Sequence, residues 1–259
     1  MNPPRSITAR DNPLLKELRK LGSDSVAYRK LGRIWLEGEH LCAAALVRGV
    51  RPLIAVFSDA GWERAAPDLR AAAPQVVRLS DALFAGISAL ESPSDMGFVM
   101  DVPVAMRALP GANAVLLDRV QDAGNVGSIL RSAAAFGVRQ VLALRGTAAL
   151  CSPKVLRAGM GAHFGLHLVE GLEPADLDGW DVPLIWTSSH QGVLLHEARL
   201  PQLCAWVFGH EGQGVAPHWQ DRAALAVRIA QPGGEESLNV AAAAAVCLYA
   251  ASVASLPPP

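Results

Sequence analysis

Five short runs of nearly uninterrupted apolar residues, Ala114–Leu117, Gln140–Leu144, Leu184–Thr187, Ala205–Phe208 and Ala226–Ile229, recur through the second part of the chain with helical or loop segments between them. A strand that is apolar at successive positions, rather than at alternate ones, is covered on both faces. That condition is met in a parallel sheet flanked by helices. In such sheets ligands sit beyond the carboxyl ends of the strands, so the loops that follow these runs are where chemistry is to be sought.

The first part of the chain has a different texture. Asn12-Pro13 opens a basic helix through Lys20, and Ile34–Leu36 reads as a strand leading into a helix over residues 38–48. The strands Leu53–Phe57 and Gln75–Leu79 follow, with a helix near Trp62–Ala72 between them and another begun by Ser80-Asp81. Pro93, Gly97, Pro103, Pro110 and Gly111 then cluster as loop punctuation, which places a domain boundary near residue 105. The expectation is an α/β protein with a smaller N-terminal α/β domain, 1–105, and a C-terminal parallel-sheet domain, 106–259.

With 51% hydrophobic residues over 259 positions a sizeable core is available, and with only 5% aromatics it must be closed by small side chains and close helix packing. The net charge of −1 demands no nucleic-acid partner by itself. Residues 1–53, however, hold ten Lys or Arg against five Asp or Glu, a local +5. This is either a face that meets phosphates or a solvated helix face. Cys42, Cys151, Cys204 and Cys247 are widely separated without metal spacing, so no zinc site or disulfide framework is indicated and a reducing cytoplasm fits. The polar N-terminus lacks a secretory pattern. The alanine-rich stretch Leu238–Leu256 reads as a buried helix rather than a membrane span. His163, His190, His196, His210 and His218 show no metal spacing, and surface or capping roles are expected.

Three loops that follow strands are unusual. Asp118–Gly127 (DRVQDAGNVG) places Gly124 and Gly127 around Asn125 before a helix over Ser128–Phe136 that carries Arg131 and is ended by Gly137. Glycines there allow close backbone approach, and a helix N-terminus attracts an anion. Gly209–Val215 (GHEGQGV) surrounds Glu211 with three glycines where a bare turn needs one. Gln231–Asn239 (QPGGEESLN) runs into the alanine-rich helix, with Ser237 as the expected N-cap and Asn239 close behind. The serine alone is explained by capping.

Taken together and in this order, the segments LLDRVQDAGNVGSILRSAAAFGV, WVFGHEGQGV and VRIAQPGGEESLNVAAAAA resemble the SpoU (TrmH) family of RNA 2'-O-ribose methyltransferases, in the SPOUT superfamily. SPKVLRAGMGAHF is similar to the family's segment between motifs. ITARDNPLLKELRKL with WLEGEHLCAAAL looks like the small RNA-binding domain many members carry. The resemblance implies a C-terminal domain tied in a deep trefoil knot, S-adenosylmethionine as cofactor, a ribosomal or transfer RNA substrate, and a homodimer in the cytoplasm, with no metal and no membrane. It assigns Gly209, Ile229 and Leu238 to the cofactor, and Asn125, Arg131, Glu211, Ser237 and Asn239 to the reacting centre. Arg131 is assigned to the reacting hydroxyl or its phosphate. Because guanidinium keeps its proton, stabilisation of the developing alkoxide suits it better than the role of base. Asn125 is expected to orient the nucleotide and Arg131, Glu211 to hold the Asn125 or Arg131 loop, and Ser237 with Asn239 to fix the knot and line the reacting centre. The family's Ile-Pro-Met at the start of the third motif is replaced by Ile229-Ala230-Gln231. A non-catalytic RNA-binding protein of the same fold remains an alternative. A nucleotide-dependent enzyme on an ordinary doubly wound fold would need an acidic ribose ligand that Gln140–Leu144 does not offer.

Overall fold

A computed structural model describes residues 3–234 and 237–254. In chain order the elements are β1 (Arg5–Ile7), α1 (Pro13–Ser23), α2 (Ala27–Leu31), β2 (Arg33–Glu37), α3 (Glu39–Val47), β3 (Ile54–Ser58), α4 (Asp59–Arg64), α5 (Pro67–Arg70), β4 (Gln75–Leu79), α6 (Asp81–Ala85) and β5 (Met96–Asp101). They continue with β6 (Ala114–Asp118), α7 (Ala123–Ala135), β7 (Gln140–Leu144), α8 (Pro153–Gly159), β8 (His167–Leu172), β9 (Leu184–Thr187), β10 (Val193–Leu194), β11 (Ala205–Gly209), α9 (Pro217–Arg222), β12 (Leu225–Arg228) and α10 (Val240–Ala254). The chain divides into two compact units, Met1–Pro103 with Cys151–Phe164, and Val104–Leu150 with Gly165–Pro259. The segment carrying α8 groups with the first unit.

The first unit is a five-stranded mixed sheet in the order β1-β4-β3-β5-β2. α1 begins where the Asn12 side chain accepts the Leu14 N–H at 3.0 Å and Pro13 supplies a preset φ. It buries Leu15, Leu18 and Leu21, which share one helical face. β5 was not expected, since Gly97 reads as a loop residue. A side chain there would collide with the Trp35 ring and the Leu36 carbonyl, so the glycine lets Trp35 lie across the strand.

The second unit is a seven-stranded sheet in the order β10-β12-β9-β11-β6-β7-β8, all parallel. β6, β7 and β11 are buried at every position, as their unbroken apolar runs require. Leu116, Leu142, Val169, Leu184 and Val207 pack on one face with Trp219 of α9, while alternate residues such as Val115, Ile185 and Phe208 are buried on the other.

Two expectations for helices are corrected. α7 begins at Ala123, not Ser128, because the Asp122 side chain accepts the Asn125 N–H at 2.8 Å and caps it there. Gly124 and Gly127 are thus helical. A side chain at 124 would press on the capping Asp122 carboxylate, which is why glycine suits that position. α10 is not a buried helix. It packs on α7 and β11 and buries Ala244, Cys247 and Leu248, but Val246, Tyr249 and Val253 are 43%, 58% and 46% exposed. The last residues of the expected Leu238–Leu256 stretch lie outside the described part. Among the described residues no helix is long and apolar enough to cross a membrane.

Candidate active site

Parallel neighbours deliver their following loops to the same edge of a sheet. Here Gly209 of β11 is paired with Asp118 of β6, Val207 with Trp186 of β9, and Val227 of β12 with Thr187. The loops after β6, β9, β11 and β12 consequently converge at one edge, where β11 is inserted between β9 and β6 against chain order. Between them lies a cleft of about 600 Å³, lined by Gly209, Glu211, Ile229, Ser237, Leu238 and Asn239 together with Trp186, Val215, Gln231 and residues 187–191.

At the edge of the cleft three side chains form a directional relay. The Asn239 carboxamide oxygen accepts the N–H groups of Ala241 at 2.9 Å and Ala242 at 3.2 Å, so Asn239, and not Ser237, caps α10. With its oxygen committed, its Nδ2 donates to Asn125 Oδ1 at 3.0 Å. Asn125 Nδ2 in turn donates to Glu211 Oε1 at 3.1 Å. The Glu211 carboxylate also accepts the backbone N–H of Asp122 at 3.1 Å and of Gln121 at 3.2 Å. Burial pushes the Glu211 pKa up. The donors from Asn125, Asp122 and Gln121 outweigh it and hold the carboxyl below its ordinary range. Glu211 therefore fastens the Asn125 loop, one of the two alternatives read from the sequence.

Three of the predicted polar residues are thus brought together by hydrogen bonds, and Ser237 stands exposed in the cleft wall beside Asn239. Arg131 is not joined to them. It lies on the exposed side of α7, about 9 Å along the helix axis beyond Asn125, outside the cleft wall and without an ion pair or hydrogen bond among the described residues. Gly209, Ile229 and Leu238 all line the cleft.

Several cleft features were not anticipated. The Ser188–Gln191 stretch forms a wall, and its polar sequence ahead of Gly192, directly after a strand, carries the same signal that singled out the other loops. His210 Nδ1 accepts the N–H groups of Gly212 at 3.0 Å and Gln213 at 3.2 Å, which pins the turn from within and leaves its Nε2 to carry the proton of the neutral ring. The Gln231 carboxamide oxygen is buried without a partner among the described residues. Among the described residues no cluster of His, Cys, Asp and Glu could hold a metal.

The model of the SpoU rRNA Methylase family matches residues 112–249. Over 95% of its length the chain is 30% identical to the 23S rRNA (guanosine(2553)-2'-O)-methyltransferase RlmP of Bacillus subtilis, covering 98% of that protein. It is 36% identical over 139 residues to the 23S rRNA (guanosine-2'-O-)-methyltransferase RlmB of Bordetella pertussis, 52% of this chain and 57% of that one. A crystal structure of an RNA 2'-O ribose methyltransferase, 30% identical, superposes with a TM-score of 0.77 over 95% of this chain and 97% of that one. The AdoMet-bound rRNA methyltransferase of Sinorhizobium meliloti shares the fold at a TM-score of 0.83 and 24% identity, over 98% and 99% of the two chains.

Proposed function

The chain belongs to the SpoU rRNA methylase family, and from that premise we propose that it transfers the methyl group of S-adenosylmethionine to a ribose 2'-hydroxyl of ribosomal RNA. The observation that carries this reading is the cleft at the carboxyl edge of four parallel strands, with the Asn239–Asn125–Glu211 relay on its rim.

The cleft suits such a donor. Ile229, Leu238, Val227 and Trp186 offer apolar surface for an adenine ring. The Gly209–Gly214 turn brings backbone to the wall, and the orphaned Gln231 oxygen can accept a hydrogen bond from an amino group. When bound, S-adenosylmethionine supplies a sulfonium methyl with a good leaving group. What remains for the chain is orientation and charge stabilisation. The relay fixes the rotamer of each amide, so Asn125 and Asn239 present a fixed polar rim to the incoming ribose. Ser237 adds a hydroxyl to the same wall. Arg131 takes the reacting hydroxyl or its phosphate and stabilises the developing alkoxide. Its guanidinium is not the base.

The first unit, with its basic N-terminal residues, binds the RNA, and the second is the methyltransferase domain. The second unit carries the family's trefoil knot. In support, residues 187–191, residues 209–215 and Ile229, Gln231 with residues 237–239 share one cleft although β11 breaks the chain order of the sheet. Two copies pair through α10, whose Val246, Tyr249 and Val253 form an uncovered apolar face. The protein works in the cytoplasm, in keeping with four buried cysteines that form no disulfide.

The test is incorporation of labelled methyl from S-adenosylmethionine into ribosomal RNA that lacks the modification, followed by mapping of 2'-O-methyl positions. Wild type transfers the label and Arg131→Ala loses at least 100-fold in rate, the scale on which removal of one charge-stabilising donor is felt. No transfer by wild type refutes the function; undiminished transfer by Arg131→Ala refutes the role of that residue. Transfer to tRNA alone moves the substrate.

A further inference from the structure

One charged side chain beside the cleft is left without a task by the scheme above. Arg119 follows β6 with φ +61°, and Met160 is the only other non-glycine residue with positive φ among those described. Met160 caps the end of α8, an ordinary place for such a backbone. Arg119 caps no helix. A bulky residue persists in that conformation only when its surroundings over-determine it, and such positions cluster where geometry matters for function.

The surroundings are specific. The Arg119 N–H donates to Thr147 Oγ1 at 3.2 Å, and that hydroxyl donates onward to the Leu117 carbonyl at 3.0 Å. The stem of Arg119 runs over Gly146, where a Cβ would stand 3.1 Å from Arg119 Cγ. Its guanidinium then divides. Nε and Nη2 grip both oxygens of Asp118 at 2.9 and 3.3 Å, while Nη1 donates to Gln213 Oε1 at 3.0 Å. Asp118 is buried and its Oδ2 also accepts the Ala216 N–H at 2.7 Å. The turn over residues 210–216 is therefore fastened at two places. Glu211 ties its start to the Gln121–Asn125 segment, and the Asp118–Arg119 pair ties its end through Gln213 and Ala216. Gln213, Gly214 and Val215 all line the cleft.

We propose that Arg119 is a positioning residue for the methyl-donor site: by clasping Gln213 to the buried Asp118 carboxylate it holds the 210–216 turn in the shape that donor binding requires. This rests on the reading that the cleft takes S-adenosylmethionine. The left-handed backbone serves the clasp, since it turns the guanidinium back onto the preceding residue's carboxylate while leaving one N–H for the loop. A lysine would keep the charge beside Asp118 but not the planar fork that reaches three acceptors at once.

The experiment is calorimetric titration of the full chain with S-adenosylmethionine, alongside thermal unfolding, for wild type, Arg119→Gly, Arg119→Lys, Gln213→Ala and the Arg119→Gly/Gln213→Ala double variant. Glycine accepts φ +61° freely, so Arg119→Gly relieves the backbone while removing the clasp. Arg119→Gly and Arg119→Lys raise Kd at least tenfold, with melting temperatures close to wild type. Replacing Gln213 weakens binding in the wild-type background and adds nothing in the Arg119→Gly background. Wild-type Kd in either Arg119 variant overturns the proposal, as does a Gln213 effect that is the same in both backgrounds. Should Arg119→Gly not fold, the Arg119→Lys result decides. No binding by wild type itself refutes the function of the cleft instead, so the two failures are distinguishable.

Discussion

The three glycines of the second motif make different demands, and replacing each by alanine separates them. A Cβ at Gly209 would drive into Gly214 C and Val215 N, so the opposing backbone would have to retreat by roughly 1 Å to reach an ordinary carbon contact of about 3.5 Å. The turn that must open is closed by His210 N–H to Gly214 O at 3.1 Å and by Gly214 N–H to His210 O at 2.8 Å. Losing both costs about 1 kcal/mol each, and overpacking adds about 1 to 3 kcal/mol. Gly209→Ala is therefore expected to cost about 3 to 5 kcal/mol in all, in stability, in donor affinity or in both, and from about 100-fold to roughly a few thousand-fold in Kd if it falls wholly on binding. Gly214 has φ +69° and open space around its Cβ position, so alanine there costs only the left-handed penalty of about 1 to 2 kcal/mol. At Gly212 an added Cβ meets only the His210 ring at 3.8 Å, and the change stays within about 0.5 kcal/mol. Urea denaturation and S-adenosylmethionine titration of the three variants give the order 209, then 214, then 212. If Gly212→Ala is as damaging as Gly209→Ala, or Gly209→Ala is silent in both assays, the close-approach argument is wrong.

Asn239→Ala removes the cap of α10 and the link to Asn125, and is expected to lower stability by about 1 to 2 kcal/mol, whereas Ser237→Ala leaves it unchanged; thermal unfolding of the pair distinguishes the caps. The Glu211 carboxyl is held below its ordinary range, so its stabilising contribution is complete above that range and is lost only as pH falls through the lowered value. Urea midpoints measured across a pH series should show that acid limb flattened in Glu211→Gln, which also turns an amide N–H₂ toward backbone donors. Burial raises the Cys204 thiol to about 11 and the Cys247 thiol to about 12, so neither is alkylated at neutral pH until the chain unfolds. Mass spectrometry of iodoacetamide-treated native protein checks this.

How much of this could be read from the chain differs by physical cause. The parallel sheet was legible because burial on both faces leaves a mark on every residue of β6, β7 and β11. The loops at the carboxyl edge were legible because glycines there exceed what turns need. The start of α7 was not, because Asp122 caps through a single hydrogen bond and Gly124, which reads as a loop residue, is required by that cap. Ser237 and Asn239 are both good capping residues two positions apart, and only the helix geometry chooses between them. The role of Arg119 left no sequence signal, since neither its left-handed backbone nor the proximity of Gln213 is encoded locally. The grouping of 151–164 with the first unit is likewise a long-range packing fact.

The wall that Ile229, Gln231 and residues 237–239 add to the cleft has a consequence for how the protein comes into being. During synthesis the loops after β9 and β11 leave the ribosome before that segment does, so a nascent chain holds two sides of the pocket and lacks the third. Ligand affinity should then arrive in one step, late, when that segment packs against them. From that moment bound donor stabilises only the completed fold, by an amount that grows with the logarithm of its concentration over Kd.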